Sequence, residues 1–531
     1  MTKKITPGDL KNMLHDGCEL ALLDVREDGQ FGEAHLLYAN PCAYSHLEAR
    51  VGQRVPRKST RTVLIDENDG IAEKAAARLI KLGFSDISIL NGGVQGWADA
   101  GYVIFKGVNV PCKAFGEVVE HQANTPRIPP EDLVSMEKNG EKHVILDGRT
   151  PAEYERMNIP GGISVPNGEL VYRVHDFAPD AETTIVVNCA GRTRSIIGAQ
   201  TLINAGLPNK IVALKGGTMG WTLSGLELEN GATRRYEDLS NAARIIAVER
   251  AARIQERMAI KTVTIETVNS WQADDKQSLF LLDVRSAEEY ADGHMPGSMH
   301  APGGQLVQAI DQWVAVLGAR IVLLDDHNNV RAIMTAHWLK QMGWDVSVLD
   351  GGVEAHASET GNIKPEVLGI NSLAFPTVTA KELAKSLEDD SAIAVDTDVS
   401  WLYRKECLPN SLWGNRARVK ELAAKLPKGK QVVLYSEHET RAWLLAIDLA
   451  EIITEPIAIL RGGRENWRAE GRPLEVSPNS PTDAEQLDFL FFVHDRHDGN
   501  EQAMRDYLDW EEGLPAQIEE DGDARYQVFT P

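Results

Sequence analysis

Short apolar runs alternate with helix-length amphipathic segments along the chain, and the alternation repeats. Four runs end in acidic residues: ALLDVR at Asp24, VILDGR at Asp147, LFLLDVR at Asp283 and AIAVDTD at Asp396. A second apolar run follows each, ending at Asp66, Asn188, Leu324 and Tyr435, then a polar loop and a segment rich in Ala and Leu. A third run (ISIL, IVAL, VSVL, IAIL) leads into Gly-Gly pairs at Gly92, Gly216, Gly351 and Gly462. The four Asp residues are 123, 136 and 113 positions apart and the first glycines 124, 135 and 111. One duplicated unit of about a hundred residues accounts for both series. Such runs, alternating with helices, predict an α/β fold of four tandem domains, each a parallel sheet with helices on both faces. Ligands of these sheets sit at the carboxyl ends of the strands, so chemistry is expected in the loop after the second run.

The repeats place domains over residues 1–107, 122–231, 262–360 and 375–476. Ala232 to Ile260 lacks Gly and Pro and predicts a connecting helix over 232–261. A tail over 480–531 carries Phe489, Phe491 and Phe492 ahead of an acidic helix candidate. It is too apolar for disorder, and packing on a neighbouring domain is expected.

Charge narrows the function. The chain has 55 Lys and Arg against 78 Asp and Glu, a net −23 over 531 residues. Such a surface repels nucleic acid and acidic membranes, so neither is expected as a partner. No apolar run has the length of a spanning helix, and no apolar leader follows the first basic residues, which predicts a cytoplasmic location. The five cysteines, at positions 18, 42, 112, 189 and 407, are odd in number and form no CxxC pair. That argues against a disulfide framework and a cysteine-rich zinc site.

Counting back from the glycines that end the helices (Gly83, Gly206, Gly343) starts the loops at Asp66, Cys189 and Asp326; a following Arg-Ala places the fourth at Ser436. Cys189-Ala190-Gly191-Arg192-Thr193-Arg194 alone carries a cysteine. A thiol between strand and helix, beside two arginines, is expected to have a lowered pKa. The same amides and guanidiniums suit a dianion such as thiosulfate. The acidic first loop, with Glu67 and Asp69 besides Asp66, would repel that anion. Cys18, Cys42, Cys112 and Cys407 are read as packing residues, and the recurring Asp-x-Arg, which the fourth repeat lacks, as a structural pair. Trp97, Trp221 and Trp467, replaced by His356 in the third repeat, are read as packing anchors. His327 and His438 fall in surface loops, and Arg173 is more simply a surface residue than a pocket one.

Taken in order and repeated, Asp-x-Arg, CAGRTRS and GGxxGW resemble the tandem rhodanese-like sulfurtransferases across all four units. The resemblance implies that Cys189 is the nucleophile and persulfide carrier. It also implies that the amides of Ala190, Gly191, Arg192, Thr193 and Arg194 stabilise thiolate and persulfide, and that Arg192 and Arg194 hold the donor anion. The six-residue loop resembles the sulfurtransferase members, whereas related phosphatases carry one residue more. Thiosulfate is the expected donor ahead of 3-mercaptopyruvate, and cyanide or a thiol, including a protein thiol, the acceptor. No metal or organic cofactor is implied, and the three repeats without the cysteine would shape the rim or provide an assembly surface. Competing readings are a scaffold in which Cys189 senses redox state and a phosphatase-like or arsenate-reducing enzyme.

Overall fold

The computed structural model describes residues 2–372, 374–497 and 499–529. Each repeat contributes five parallel strands in one order. In the second repeat the order is Arg127–Ile128, Ile211–Leu214, Thr184–Asn188, His143–Asp147, Ile163–Ser164. The corresponding central strand is Thr62–Ile65 in the first repeat, Arg320–Leu324 in the third and Gln431–Tyr435 in the fourth. Helices cover both faces, so central strands are buried on each side and read in the sequence as continuous apolar runs. The α/β class and the four tandem domains predicted from the repeats are present.

The chain forms two compact units. One holds Met1–Leu10, Leu22–Val108 and Pro365–Val493, which is most of the first repeat and the fourth; the other holds Lys11–Ala21, the second and third repeats (Asn109–Lys364) and the segment from His494 onward. Buried charge joins the partners within each unit. In the first unit, Arg416 donates to Glu48 at 2.6 and 2.9 Å and to Asp448 at 3.2 Å, and the Tyr44 hydroxyl donates to Asp448 at 2.6 Å. In the second, Arg331 of the third repeat donates to Glu169 of the second at 2.9 Å, and the Tyr172 hydroxyl donates to Asp326 at 2.5 Å.

The connecting helix is shorter than its composition suggests. It spans Asn241–Arg257, because the Ser240 side chain accepts a hydrogen bond from the Ala243 amide and caps it there. Ala243, Ala247, Ala251 and Ile254 form its buried stripe, against helices Leu170–Phe177 and Val330–Gln341. It lies between the second and third repeats, its small residues allowing close approach. The three tryptophans are anchors as predicted: each is buried and donates its indole N–H to a carbonyl six residues on, Val103, Glu227 or Pro473.

Candidate active site

A buried ion pair fixes the strand end in front of the loop. Arg149 donates from Nε to Asp147 at 2.9 Å and from Nη2 at 2.7 Å, then reaches the Met157 carbonyl at 2.6 Å. Arg26 with Asp24 and Arg285 with Asp283 repeat the arrangement. The fourth repeat has Asp398 where the arginine would stand, and draws its cation from elsewhere. Arg464, directly after Gly462-Gly463, donates to Asp396 at 2.7 Å and Asp398 at 2.9 Å.

Cys189 follows strand Thr184–Asn188 and opens the loop into helix Thr193–Asn204. The Gly-Gly turn clamps that loop: the Thr218 amide donates to the Cys189 carbonyl at 2.8 Å and the Met219 amide to Ala190 at 3.1 Å. Gly217 has φ +55°, and a Cβ there would fall 2.3 Å from the Cys189 carbonyl oxygen, so only glycine serves. The Cys189 Sγ lies 3.6 Å from Ser195 Oγ, whose hydroxyl donates to the Arg192 carbonyl at 2.7 Å. Cys189 is 2% exposed. Burial pushes its pKa up, more than Arg194 and the bonds from Ser195 bring it down. The lowered pKa expected from the loop sequence is therefore reversed by desolvation.

The loop arginines are engaged by carboxylates. Arg192 donates to Glu117 at 2.8 and 2.6 Å, to Glu120 at 2.6 Å and to Glu512 at 2.5 Å. Glu117 and Glu120 come from helix Val110–Ala123, and Glu512 from helix Glu501–Asp521. Burial lifts the Glu117 carboxyl to about 7, yet the two-point contact with Arg192 is that of an ion pair. Arg194 donates to both oxygens of Glu153 at 2.8 and 2.7 Å, and this partner holds the Glu153 carboxyl near 2 against the cost of burial. Both guanidiniums brace the loop against neighbouring helices rather than standing open for an anion. Glu511 also packs on the loop, its Oε2 buried without a hydrogen-bond partner and close to Gly191.

The other three loops show what replaces the thiol. Asp66 accepts from the amides of Asn68 at 2.8 Å and Ala72 at 3.0 Å, so its own carboxylate fills the loop. In the third repeat that place belongs to Asp325 and not to Asp326. The Val353 amide donates to the Asp325 carbonyl as Thr218 does to Cys189, and the loop to Arg331 is one residue longer. Asp325 accepts from the Ala332 amide at 3.0 Å and Arg331 Nε at 2.8 Å. Ser436 occupies the place in the fourth repeat, its carbonyl accepting from the Arg464 amide.

Cys42, Cys112 and Cys407 are buried as expected, whereas Cys18 is exposed, set in a turn after the first helix. His327 and His438 are exposed. Arg173 is a surface-side brace, bonded to Glu169 at 3.0 Å and stacked over Tyr236. Sequence reasoning missed Ser195, Glu153 and the three glutamates on Arg192. Of these, Glu153 had a readable signal, since Thr150-x-x-Glu153 is a capping box, and the structure forms it. A cavity of about 80 Å³ opens beside Ala190, between the strand-end helix Pro151–Arg156 and the segment after His494.

A model of the rhodanese-like domain matches residues 6–100, 129–224, 264–359 and 379–470. The chain belongs to the rhodanese-like domain family. Its four rhodanese-like domains also align as a whole with a crystal structure of thiosulfate sulfurtransferase from Pseudomonas aeruginosa: 41% identity, 99% of this chain and 100% of that one covered, TM-score 0.95. A curated relative, the candidate sulfur carrier protein YrkF of Bacillus subtilis, is 30% identical over 103 residues, which is 19% of this chain and 54% of that protein's length. The rhodanese-like chain thus spans about half of that relative. Among its described residues no helix is long and apolar enough to cross a membrane.

Proposed function

We propose that this rhodanese-like protein is a thiosulfate sulfurtransferase working through a persulfide on Cys189. The reading is carried by the single repeat in which a thiol, not a carboxylate or hydroxyl, occupies the loop position between strand and helix. The whole-length similarity to a thiosulfate sulfurtransferase supports it. The Cys189 thiolate attacks the outer sulfur of thiosulfate; the S–S bond breaks and sulfite leaves with the bonding pair. The terminal sulfur of the persulfide then passes to cyanide, releasing thiocyanate, or to a thiol, and the thiolate returns. The protein alternates between a free and a persulfide form, so ping-pong kinetics follow. The amides from Ala190 to Arg194 face the sulfur in this reading, with Arg192 and Arg194 fixing the loop that presents them. We assign the three other repeats no sulfur transfer of their own, and take residues 1–107, 122–231, 262–360 and 375–476 as the functional domains. A cytoplasmic location fits the acidic chain.

The test is mass measurement of the Cys189 peptide after incubation with thiosulfate. A gain of one sulfur, lost on adding cyanide with release of thiocyanate and absent in Cys189→Ser, is expected. Folded protein that gains no sulfur would overturn the proposal.

A further inference from the structure

Arg192 and Arg194 are each held by glutamates, so the charge that binds an anionic donor must come from elsewhere. The cavity beside Ala190 carries further arginines. Its wall includes Arg156 at the end of the strand-end helix and Arg496 in the segment after the fourth repeat. Among the described residues, neither has a carboxylate in ion-pair range. Arg156 is exposed at the mouth. Arg496 is half-buried, its guanidinium 3.7 Å over the Tyr507 ring and its Nε buried without a hydrogen-bond partner. The one carboxylate in the wall, Glu153, is neutralised by Arg194, as Arg149 is by Asp147. The residues lining the cavity therefore carry net positive charge, on a chain whose total is −23.

The remaining lining is suited to sulfur. Met157, Met219 and Met504 also line the cavity, and thioethers are polarisable and adaptable. A single water needs about 10–15 Å³, so the cavity of about 80 Å³ has room for about five to eight, enough for a five-atom tetrahedral anion. A ligand with a soft sulfur at one end and a hard, doubly charged oxyanion at the other matches both parts of the wall.

We infer that Arg156 and Arg496 form the subsite that binds the sulfonate end of the donor, with the methionine wall around the sulfur that is transferred. This rests on the sulfurtransferase reading above and adds to it the residues that select the donor. Planar guanidiniums meet such oxygens with paired, charge-assisted hydrogen bonds. One of the two arginines lies outside all four rhodanese-like domains, so the segment after them contributes directly to the site.

The experiment compares the wild-type protein with Arg156→Gln, Arg496→Met and Arg496→Lys. Both half-reactions are measured: sulfur uptake from thiosulfate over a range of concentrations, and discharge by cyanide of protein already loaded with sulfur. The expected result is a rise of about tenfold or more in the thiosulfate concentration for half-maximal uptake in Arg156→Gln and in Arg496→Met. Discharge stays unchanged, and Arg496→Lys recovers part of the loss. Sulfite, the leaving anion, should inhibit both variants correspondingly less. Arg156 is exposed, so its variant gives a clean reading even if Arg496→Met were to loosen the segment. Wild-type uptake at normal concentrations with no change in Arg156→Gln or in folded Arg496→Met would overturn the subsite alone. A wild type that takes up no sulfur would overturn the underlying reading instead.

Discussion

At the level of single residues, the opposition between burial and local charge at Cys189 has a measurable sign. Desolvation holds the thiol pKa above its ordinary value, so little thiolate is present at neutral pH. The nucleophile is the thiolate. Sulfur uptake, and alkylation by a small reagent, should accordingly accelerate with pH by about tenfold per unit from neutrality to at least the ordinary thiol pKa of about 8.5. Single-turnover uptake followed across that range checks this; a plateau below pH 8 would mean that the loop amides and Arg194 outweigh burial. The same residue shows what could be read from the sequence. Four aligned copies put Cys189 at the loop position because repeat spacing is a local, periodic signal. The partners of Arg192 were not legible, since Glu117 lies 75 residues before it and Glu512 320 after it. Whether a guanidinium awaits a ligand or is already paired depends on such distant groups.

Elements of secondary structure act here as supports for one loop. Helices Val110–Ala123 and Glu501–Asp521 lie outside the repeats, yet each sends glutamates to Arg192. Removing one partner from a buried ion pair costs about 3–5 kcal/mol, because the other charge is left desolvated. Since Glu120 and Glu512 remain, Glu117→Ala should sit near the low end, about 3 kcal/mol, read as a lower midpoint in urea denaturation. Looser bracing should also make Cys189 react faster with a bulky alkylating reagent. An unchanged midpoint with unchanged reactivity would show that the helix does not brace the loop. Element lengths were partly legible: the strands matched their apolar runs, whereas the connecting helix lost its first turns to a cap at Ser240. The third loop was misplaced by one position because counting from Gly343 assumes equal loop lengths. An inserted residue is invisible to that count.

For the molecule as a whole, the net charge of −23 opposes an incoming dianion. Raising potassium chloride from about 10 to 100 mM shortens the screening length from about 30 to 10 Å. Thiosulfate turnover at low substrate should therefore rise with salt over that range, and more steeply in Arg156→Gln, which removes part of the local attraction. Stopped-time assays at fixed pH would show it, and a fall with salt would mean that the site's own arginines dominate the approach.

The pairing of repeats sets an order of assembly. The second and third repeats are neighbours in the chain, and the contact between Arg331 and Glu169 spans 162 residues. Arg416 meets Glu48 across 368. Domains generally fold as units in the order in which they are synthesised. The first repeat therefore emerges from the ribosome with Glu48 facing water, and waits through the whole of the second and third before its partner exists. The helix from Glu501 comes later still, so the last brace on the Cys189 loop is added only after all four repeats have been made.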